Sequence, residues 1–269
     1  MDATPIDAHH HFLPVFGPEL LTPELDRAGV SGTILVQAVD TADENSRLLA
    51  YASNVPFVRG VVAWLPIADA DAAYAELERL PTPPVVGVRC LIGRDPADWL
   101  VSQSALGVFR ELAARGLTWD VVPVTERQVD HTVRVAAAVP ELRVVVDHLA
   151  RPPLESGDRQ PWARWVERLA GLPNVAMKVS VGIDALTAWP RWNADELTPF
   201  VDRVVSCFGA DRLLLASNWP VILHRVPYES AWNDLTRALR RAGLSEVELA
   251  DASGGTAIRW YGCRPHVPT

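Results

Sequence analysis

The chain alternates short apolar runs with longer segments in which apolar residues recur at helical spacing. Eight of these runs predict β-strands, at 6–12, 32–38, 58–65, 85–92, 117–122, 143–149, 174–180 and 212–219. The runs lack strict polar alternation, which favours strands of a parallel sheet that is buried on both faces. Helices are predicted at 22–29, 43–54, 69–80, 96–115, 125–139, 160–171, 195–208, 229–242 and 245–261.

This alternation predicts the architecture of the whole chain. Eight strands separated by helices favour an α/β fold closed into a (β/α)8 TIM barrel over an open, doubly wound sheet. Such barrels commonly occupy about 250 residues as one unit, so residues 1–269 are predicted to form a single domain. The sequence contains no GxGxxG or Walker loop that would favour a nucleotide-binding sheet.

Composition narrows the classes of partner. The chain is 49% hydrophobic and 22% charged, as a folded globular protein is. A formal net charge of −8 argues against nucleic acid or an anionic membrane as the main partner, which leaves a small-molecule substrate.

Cys90, Cys207 and Cys263 form no CxxC pair, so neither a disulfide framework nor a thiolate zinc site is predicted. With no signal-like or membrane-spanning segment, we expect a cytoplasmic protein; a homo-oligomer stays open.

A run of three histidines near the N-terminus is the first candidate for chemistry. In an extended segment His9 and His11 lie on one face and His10 on the other. Two imidazoles about 6 to 7 Å apart can share a divalent metal or contact one substrate oxygen. A polyhistidine remnant is the alternative reading, but Ile6 and Phe12 flank the run with apolar residues.

Polar residues gather where the predicted strands end. In barrels of this kind the active site is built at the C-terminal ends of the strands. The residues at those ends are His9, His11, Gln37, Trp64, Arg89, Asp120, Asp147, His148, Lys178, Ser180, Ser217 and Asn218. A buried charge costs several kcal/mol unless it is paired, so this many polar residues at one end predict an active site.

At the end of the sixth predicted strand, either of two neighbouring residues could point into the barrel. Alternation allows only one of Asp147 and His148 to point into the barrel. His148 is predicted to be that residue, because an imidazole can act as ligand or proton carrier near neutral pH. The remaining histidines, His131, His224 and His266, are expected to be solvated.

Several other polar residues could have a purely structural role instead of a functional one. Arg89 could neutralise Asp120 instead of binding substrate, and Lys178 could extend its ammonium to solvent. Gln37 and Trp64 could be ordinary packing residues.

Taken together, several segments resemble the amidohydrolase superfamily. They are residues 6–12, 87–89, 146–149 with 151–152, 177–180 and 213–221. The resemblance is to the branch of TIM-barrel hydrolases that includes sugar lactonases and 2-pyrone-4,6-dicarboxylate lactonase. It implies that His9 and His11 bind metal or substrate and that His148 is a further site or metal-ligating histidine.

The eighth strand departs from the pattern of that branch. Where the family usually has Ser-Asp-Trp-Pro, this chain has Asn218, and an amide cannot act as a general base. Three accounts follow. The base has moved to His148, Asp120 or a first-strand histidine; the reaction needs only an oriented water; or the chain no longer hydrolyses anything. We favour the first account.

The leading hypothesis is a hydrolase that opens a small lactone, either of a sugar acid or carrying a carboxylate. His9 and His11 would polarise the carbonyl, directly or through a divalent metal, with zinc as the expected ion. Asn218 would hold the water or donate to the oxyanion, with His148 as base.

Substrate binding is assigned to a second group of residues. Arg89 and Lys178 would bind a substrate carboxylate, because a guanidinium offers it two parallel donors. Gln37, Trp64 and Trp219 complete the predicted substrate site.

Two alternatives to lactone hydrolysis stay open. A metal-dependent decarboxylase of the same superfamily would need a fifth-strand histidine, where this chain has Asp120. A degenerate barrel that binds ligand or tailors a biosynthetic product is favoured by Asn218 alone.

Overall fold

The computed structural model describes residues 4–263, and eight parallel strands follow one another around a barrel in chain order. The strands are β1 (Ile6–His10), β2 (Gly32–Val36), β3 (Val58–Trp64), β4 (Val85–Arg89), β5 (Thr118–Val121), β6 (Val144–Val146), β7 (Val175–Val179) and β8 (Leu213–Leu215). The ring closes beyond β8, where His10 forms a parallel bridge to Trp219. The predicted TIM barrel is therefore confirmed, while His266 lies outside the described residues.

Eleven α-helices accompany the strands of the described segment. They are α1 (Pro18–Ala28), α2 (Ala42–Asn54), α3 (Ala70–Leu77), α4 (Gln103–Ala114), α5 (Glu126–Ala138), α6 (Trp162–Ala170), α7 (Ile183–Ala188), α8 (Ala194–Phe208), α9 (Tyr228–Arg241), α10 (Glu246–Ala250) and α11 (Thr256–Tyr261). Between residues 4 and 263, no helix is long and apolar enough to cross a membrane.

The helices differ from the sequence prediction in several places, among them the helix predicted at 245–261, which is α10 and α11 joined by a π-helical turn at Asp251–Gly255. The single helix predicted at 96–115 is instead a 3-10 turn, Asp98–Val101, followed by α4. The break occurs because Ser102 is extended and its Oγ accepts a hydrogen bond from the Ala105 N–H, which caps α4. In addition, α7 was not predicted. His131, expected to be solvated, is buried on α5 with its Nδ1 3.2 Å from the Pro96 carbonyl oxygen.

The core has an inner and an outer part. Inside the barrel, aliphatic side chains such as Ile34, Val145 and Leu214 pack together with Trp260 and Tyr261 of α11. Helix α11 follows Gly254, which lies against the Thr4 carbonyl at the start of β1, so α11 covers the N-terminal end of the strands. The C-terminal end of the strands is not covered by α11, so it is available for an active site.

A β-bulge in β1 sets the direction of the histidine run. Pairing between β1 and β2 shifts register between Asp7 and His10, so that Ala8 and His9 both face the barrel interior. His10 points outward, where its Nε2 lies 2.9 Å from Thr33 Oγ1.

Asp7 joins the two strands that close the barrel. Its Oδ1 accepts from the backbone N–H groups of His9 (3.1 Å) and Ser217 (2.9 Å). Its Oδ2 accepts from Ser217 Oγ at 2.5 Å and from the Tyr228 hydroxyl of α9 at 3.2 Å. Burial raises the pKa of Asp7 to about 6, and these four hydrogen bonds oppose the rise. One carboxyl therefore holds β1, the end of β8 and α9 together.

Replacing Asp7 by alanine is expected to lower the free energy of unfolding by about 3 kcal/mol, because several buried donors lose their acceptor at once. Urea denaturation followed by tryptophan fluorescence at pH 7.5 measures the change. The control is Asp202→Ala, at an exposed position of α8, which should stay within about 0.5 kcal/mol of wild type. An Asp7→Ala protein as stable as the control would show that the contact between β1, the end of β8 and α9 does not depend on this carboxyl.

Candidate active site

A cavity of about 440 Å³ opens at the C-terminal end of the barrel. Four of the predicted site residues line it: His11 just after β1, Arg89 at the end of β4, His148 after β6 and Asn218 after β8. Residues separated by about two hundred positions in the chain thus meet at one cavity.

His9 and His11 approach each other through their Nε2 atoms, which are 3.1 Å apart. His11 Nδ1 lies 2.8 Å from the Val36 carbonyl oxygen, to which it can only donate, so its Nε2 carries the lone pair. Burial lowers the pKa of both imidazoles well below the usual value. Both rings are therefore neutral at neutral pH, as metal ligation requires.

Four buried charges lie beneath these imidazoles and neutralise one another. Lys178 Nζ lies 2.6 Å from Asp120 Oδ2 and 2.9 Å from Asp147 Oδ1. Arg89 Nη1 donates to Asp147 Oδ2 at 2.8 Å. Although burial alone raises it, Lys178 and His9 hold the pKa of Asp147 well below its usual range. Two cations and two carboxylates meet the requirement that buried charges be paired.

Lys178 and Asp120 do not reach the cavity. Both are fully buried, and Asp120 accepts from Thr118 Oγ1 at 3.0 Å and from the Tyr261 hydroxyl at 2.6 Å, in addition to Lys178. Burial raises the pKa of Asp120, and Lys178 opposes this. Asp120 was predicted as a possible general base and Lys178 as a ligand of a substrate carboxylate. Because neither side chain reaches the cavity, the structure does not support these two roles.

Asp147 and His148 both face the interior, contrary to the alternation argument. The argument fails because β6 ends at Val146 and the backbone of His148 is left-handed, with φ of 54°. Asp147 continues the inward face of the strand, and the turn brings the His148 ring over the same space, 4.5 Å from the His9 ring. Gly182 leaves room for it, since a Cβ there would lie 3.1 Å from the His148 ring.

His148 is held in one orientation. Its Nδ1 lies 2.8 Å from Ser180 Oγ, which leaves Nε2 without a partner among the described residues. Burial lowers the pKa of His148 to about 4. The ring is therefore a neutral imidazole at neutral pH.

Asn218 presents an unused acceptor. Its backbone is left-handed, with φ of 59°, a conformation that asparagine tolerates better than most residues. Its Nδ2 donates to the Val181 carbonyl at 2.9 Å, while its buried Oδ1 has no hydrogen-bond partner in the described part of the chain. An orphaned amide oxygen beside a cavity is a ready acceptor for a water or ligand.

Three predicted substrate-binding residues lie away from the cavity. Gln37 is buried and supports Arg89, which donates to its Oε1 at 3.1 Å and to its backbone carbonyl. Trp64 lines a separate cavity of about 280 Å³. Trp219 packs edge-on against Phe12 and Phe16, with ring centroids 6.3 and 5.7 Å away. The strand ends carry these side chains to the outer face or beneath the site, which strand position alone did not reveal.

Tyr261 is a site-supporting residue that sequence reasoning missed. It lies in the last described helix, and no motif near it indicates that its hydroxyl enters the barrel to bind Asp120. Its burial raises its pKa well above the usual value, so it acts as a hydrogen-bond donor.

Histidine and aspartate side chains form a group that could hold a metal ion. Ligand atoms of His9, Asp147 and His148 all lie within 4.8 Å of one another. Asp147 already pairs with Lys178 and Arg89, however, and its Oδ1 lies 3.4 Å from His9 Nδ1. That position suits a carboxylate that orients a ligating histidine from behind.

Comparison with known proteins places this site in a family. The amidohydrolase family model (Amidohydro_2) matches residues 6–263. The L-fucono-1,5-lactonase of Burkholderia ambifaria is 34% identical over 238 residues, 80% of each chain. A crystal structure of an amidohydrolase from Burkholderia multivorans with bound zinc aligns with a TM-score of 0.86 and 26% identity, over 97% of this chain and 100% of that one.

A second solved structure with a lower TM-score shows how far the likeness extends. A putative 2-pyrone-4,6-dicarboxylic acid hydrolase from Pseudomonas putida aligns with a TM-score of 0.73 and 28% identity, over 97% of this chain and 98% of that one. The family match spans the histidine run, all eight strands and the Ser217–Pro220 segment that carries Asn218. The chain therefore belongs to the amidohydrolase family.

Proposed function

We propose that this protein hydrolyses a small lactone in the cavity at the C-terminal end of its barrel. The observation that carries the proposal is the convergence of a neutral histidine, His148, with the unpartnered Oδ1 of Asn218 beside His11. An ester hydrolase needs a proton acceptor, an acceptor that positions water, and a group that withdraws electrons from the carbonyl. The lactonase names of the relatives support the same reaction.

Water would be positioned and deprotonated by two residues. Asn218 Oδ1 accepts one hydrogen of the water, and His148 Nε2 accepts the other as the water oxygen bonds to the carbonyl carbon. In the required tautomer His148 donates from Nδ1 to Ser180 Oγ, 2.8 Å away. The protonated imidazole then returns its proton to the ring oxygen as the ester C–O bond breaks, and the product is a hydroxy acid.

Carbonyl polarisation by His11 acting alone is disfavoured. Because His11 Nδ1 donates to the Val36 carbonyl, its Nε2 has no hydrogen to offer a substrate oxygen. His9 Nδ1 lies 3.4 Å from Asp147 Oδ1 and 3.1 Å from Lys178 Nζ, which can only donate to it. In the tautomer that accepts from Lys178, His9 donates from Nε2 to the lone pair of His11 Nε2, and a divalent ion held by both Nε2 atoms would take the place of that hydrogen.

These residues fit a divalent ion. Zinc binds imidazole nitrogens at about 2.0 to 2.1 Å, so two nitrogens 3.1 Å apart can share one ion. We propose that His9 and His11 hold it, with Asp147 orienting His9, and that His148 stays available for proton transfer. When bound, the ion supplies Lewis-acid polarisation of the lactone carbonyl.

Removing the His148 imidazole is expected to slow catalysis without unfolding the barrel. His148→Ala should lower kcat/KM by about 10²-fold or more because the general base is lost. His224→Ala, at an exposed position, is the control and should match wild type. A pH-indicator assay over γ- and δ-lactones measures the rates. His148→Ala at the wild-type rate would remove this residue from the mechanism.

Metal content tests the ligand assignment independently of activity. Elemental analysis of protein purified without chelator should give about one equivalent of zinc or another divalent metal. The double variant His9→Ala/His11→Ala should hold less than a tenth of an equivalent, while His224→Ala keeps the wild-type content. Active wild-type protein with less than a tenth of an equivalent would contradict the metal assignment and leave polarisation to Arg89.

Asn218 should matter as an acceptor for water. Asn218→Ala is expected to lower kcat by about 10²-fold with a smaller change in KM, because the water loses its orientation. Asn218→Asp restores an acceptor at the same place and should retain activity. If Asn218→Ala matched wild type, another residue would have to position the water.

The alternative functions are not favoured. The 2,6-dihydroxybenzoate decarboxylase of Rhizobium aligns at 15% identity, a likeness of fold alone. On β5 this chain has Asp120, which is engaged by three donors, in place of a histidine. The polar constellation expected of a catalyst also argues against a degenerate barrel. A single domain, a cytoplasmic location and a homo-oligomeric state stay predictions.

A further inference from the structure

The cavity has a polar base and aliphatic walls. Its catalytic residues sit at the strand ends, whereas the loops that leave those ends contribute mainly hydrocarbon. The wall residues are Leu91, Ile92, Val122, Val124, Ile183 and Val221. None of the described residues that line this cavity is phenylalanine, tyrosine or tryptophan, so a sugar ring would find no large aromatic face in these walls on which to stack.

The two arginines at the cavity are already engaged within the protein. Arg89 binds Asp147 and Gln37, and the Arg151 Nη1 donates to Glu155 at 2.7 Å. A buried substrate hydroxyl without a partner lowers affinity by about tenfold or more. A polyhydroxylated lactone would therefore leave several hydroxyls unpaired against these walls.

The charges at the cavity also disfavour an anionic substrate. Arg89 and Arg151 each have a carboxylate partner, in Asp147 and Glu155. A further lining residue, Asp184, is exposed and adds negative charge at the rim. A substrate carboxylate would therefore compete with Asp147 and Glu155 for the two arginines, or with the reacting ester for the ion proposed at His9 and His11.

The mouth of the cavity exposes large aliphatic side chains. Leu91 is 50% exposed and Ile183 is 44% exposed, and both line the cavity. Exposed apolar side chains that border a site commonly mark a surface that a ligand covers. A hydrocarbon group extending from the base toward the mouth would cover both.

We propose that the substrate is an uncharged lactone that carries a hydrocarbon substituent, rather than a polyhydroxylated sugar lactone or a dicarboxylate. The reacting ester lies at the polar base, and the substituent runs along Val122, Val124 and Ile183. A cavity of about 440 Å³ is in the size range of sites that enclose small organic ligands. This inference rests on the proposed lactonase function and assigns the substrate class of the same site.

The test compares δ-lactones with the wild-type enzyme: unsubstituted, 5-methyl, 5-butyl, and a polyhydroxylated aldono-δ-lactone. Each buried methylene should raise kcat/KM by about threefold, or roughly thirtyfold from methyl to butyl. The polyhydroxylated lactone should fall below the unsubstituted one. If it exceeds the butyl lactone, the substrate class is wrong while the lactonase function stands. If none of the four is hydrolysed faster than without enzyme, the proposed function fails and the substrate class with it.

Variants at the mouth locate the substituent. Leu91→Ser and Ile183→Ser should each lower the ratio of butyl to unsubstituted kcat/KM by at least threefold, because a hydroxyl replaces the hydrocarbon contact. Val247→Ser is the matched control: Val247 is 81% exposed on α10, does not line the cavity, and should leave the ratio unchanged. An unchanged ratio in both mouth variants would overturn the proposal.

Discussion

The mutual neutralisation of four charges inside the barrel is the constraint on which the site depends. An unpaired charge in such an interior costs several kcal/mol, and Lys178 has two carboxylates within 2.9 Å. Because Arg89, Asp120, Asp147 and Lys178 come from β4, β5, the end of β6 and β7, their pairing fixes these strands relative to one another. Removing one member would leave another charge buried without its partner.

The same pairing determines the state of the imidazoles above it. With the four charges cancelled, no excess negative charge favours protonation of His9, and burial lowers its pKa well below the usual value. The histidines at the cavity therefore remain neutral, available as ligand or base. Their positions depend on two irregular pieces of backbone, the bulge at Ala8 and His9 and the left-handed turn at His148. Such irregularities commonly occur beside active sites, where they re-aim side chains.

The sequence predicted the barrel and the end at which its site lies, because the apolar runs and the polar residues that end them are local signals. It placed His9 and His11 together on one face for the same reason. It could not show that Lys178 and Asp120 lie beneath the cavity, since depth in a barrel depends on how neighbouring strands are staggered. Alternation allowed only one of Asp147 and His148 to face inward, because it assumes that the strand continues past Val146, and the choice of His148 left Asp147 wrongly placed outside. Tyr261 left no local signal, since its contact with Asp120 spans 141 positions.

The amide at position 218 is consistent with this charge balance and with the walls of the cavity. Asp120 and Asp147 already neutralise Arg89 and Lys178, so in the absence of a bound ion a carboxylate at position 218 would add a negative charge beside three neutral imidazoles. Asn218 keeps the oxygen acceptor and avoids that charge. The site thus lacks a carboxylate ligand and base at this position, and in the proposed mechanism proton transfer is assigned to His148 instead. What remains is a cavity whose side-chain charges are paired and whose walls are aliphatic, and transfer of a hydrocarbon substituent from water into such a cavity is favourable.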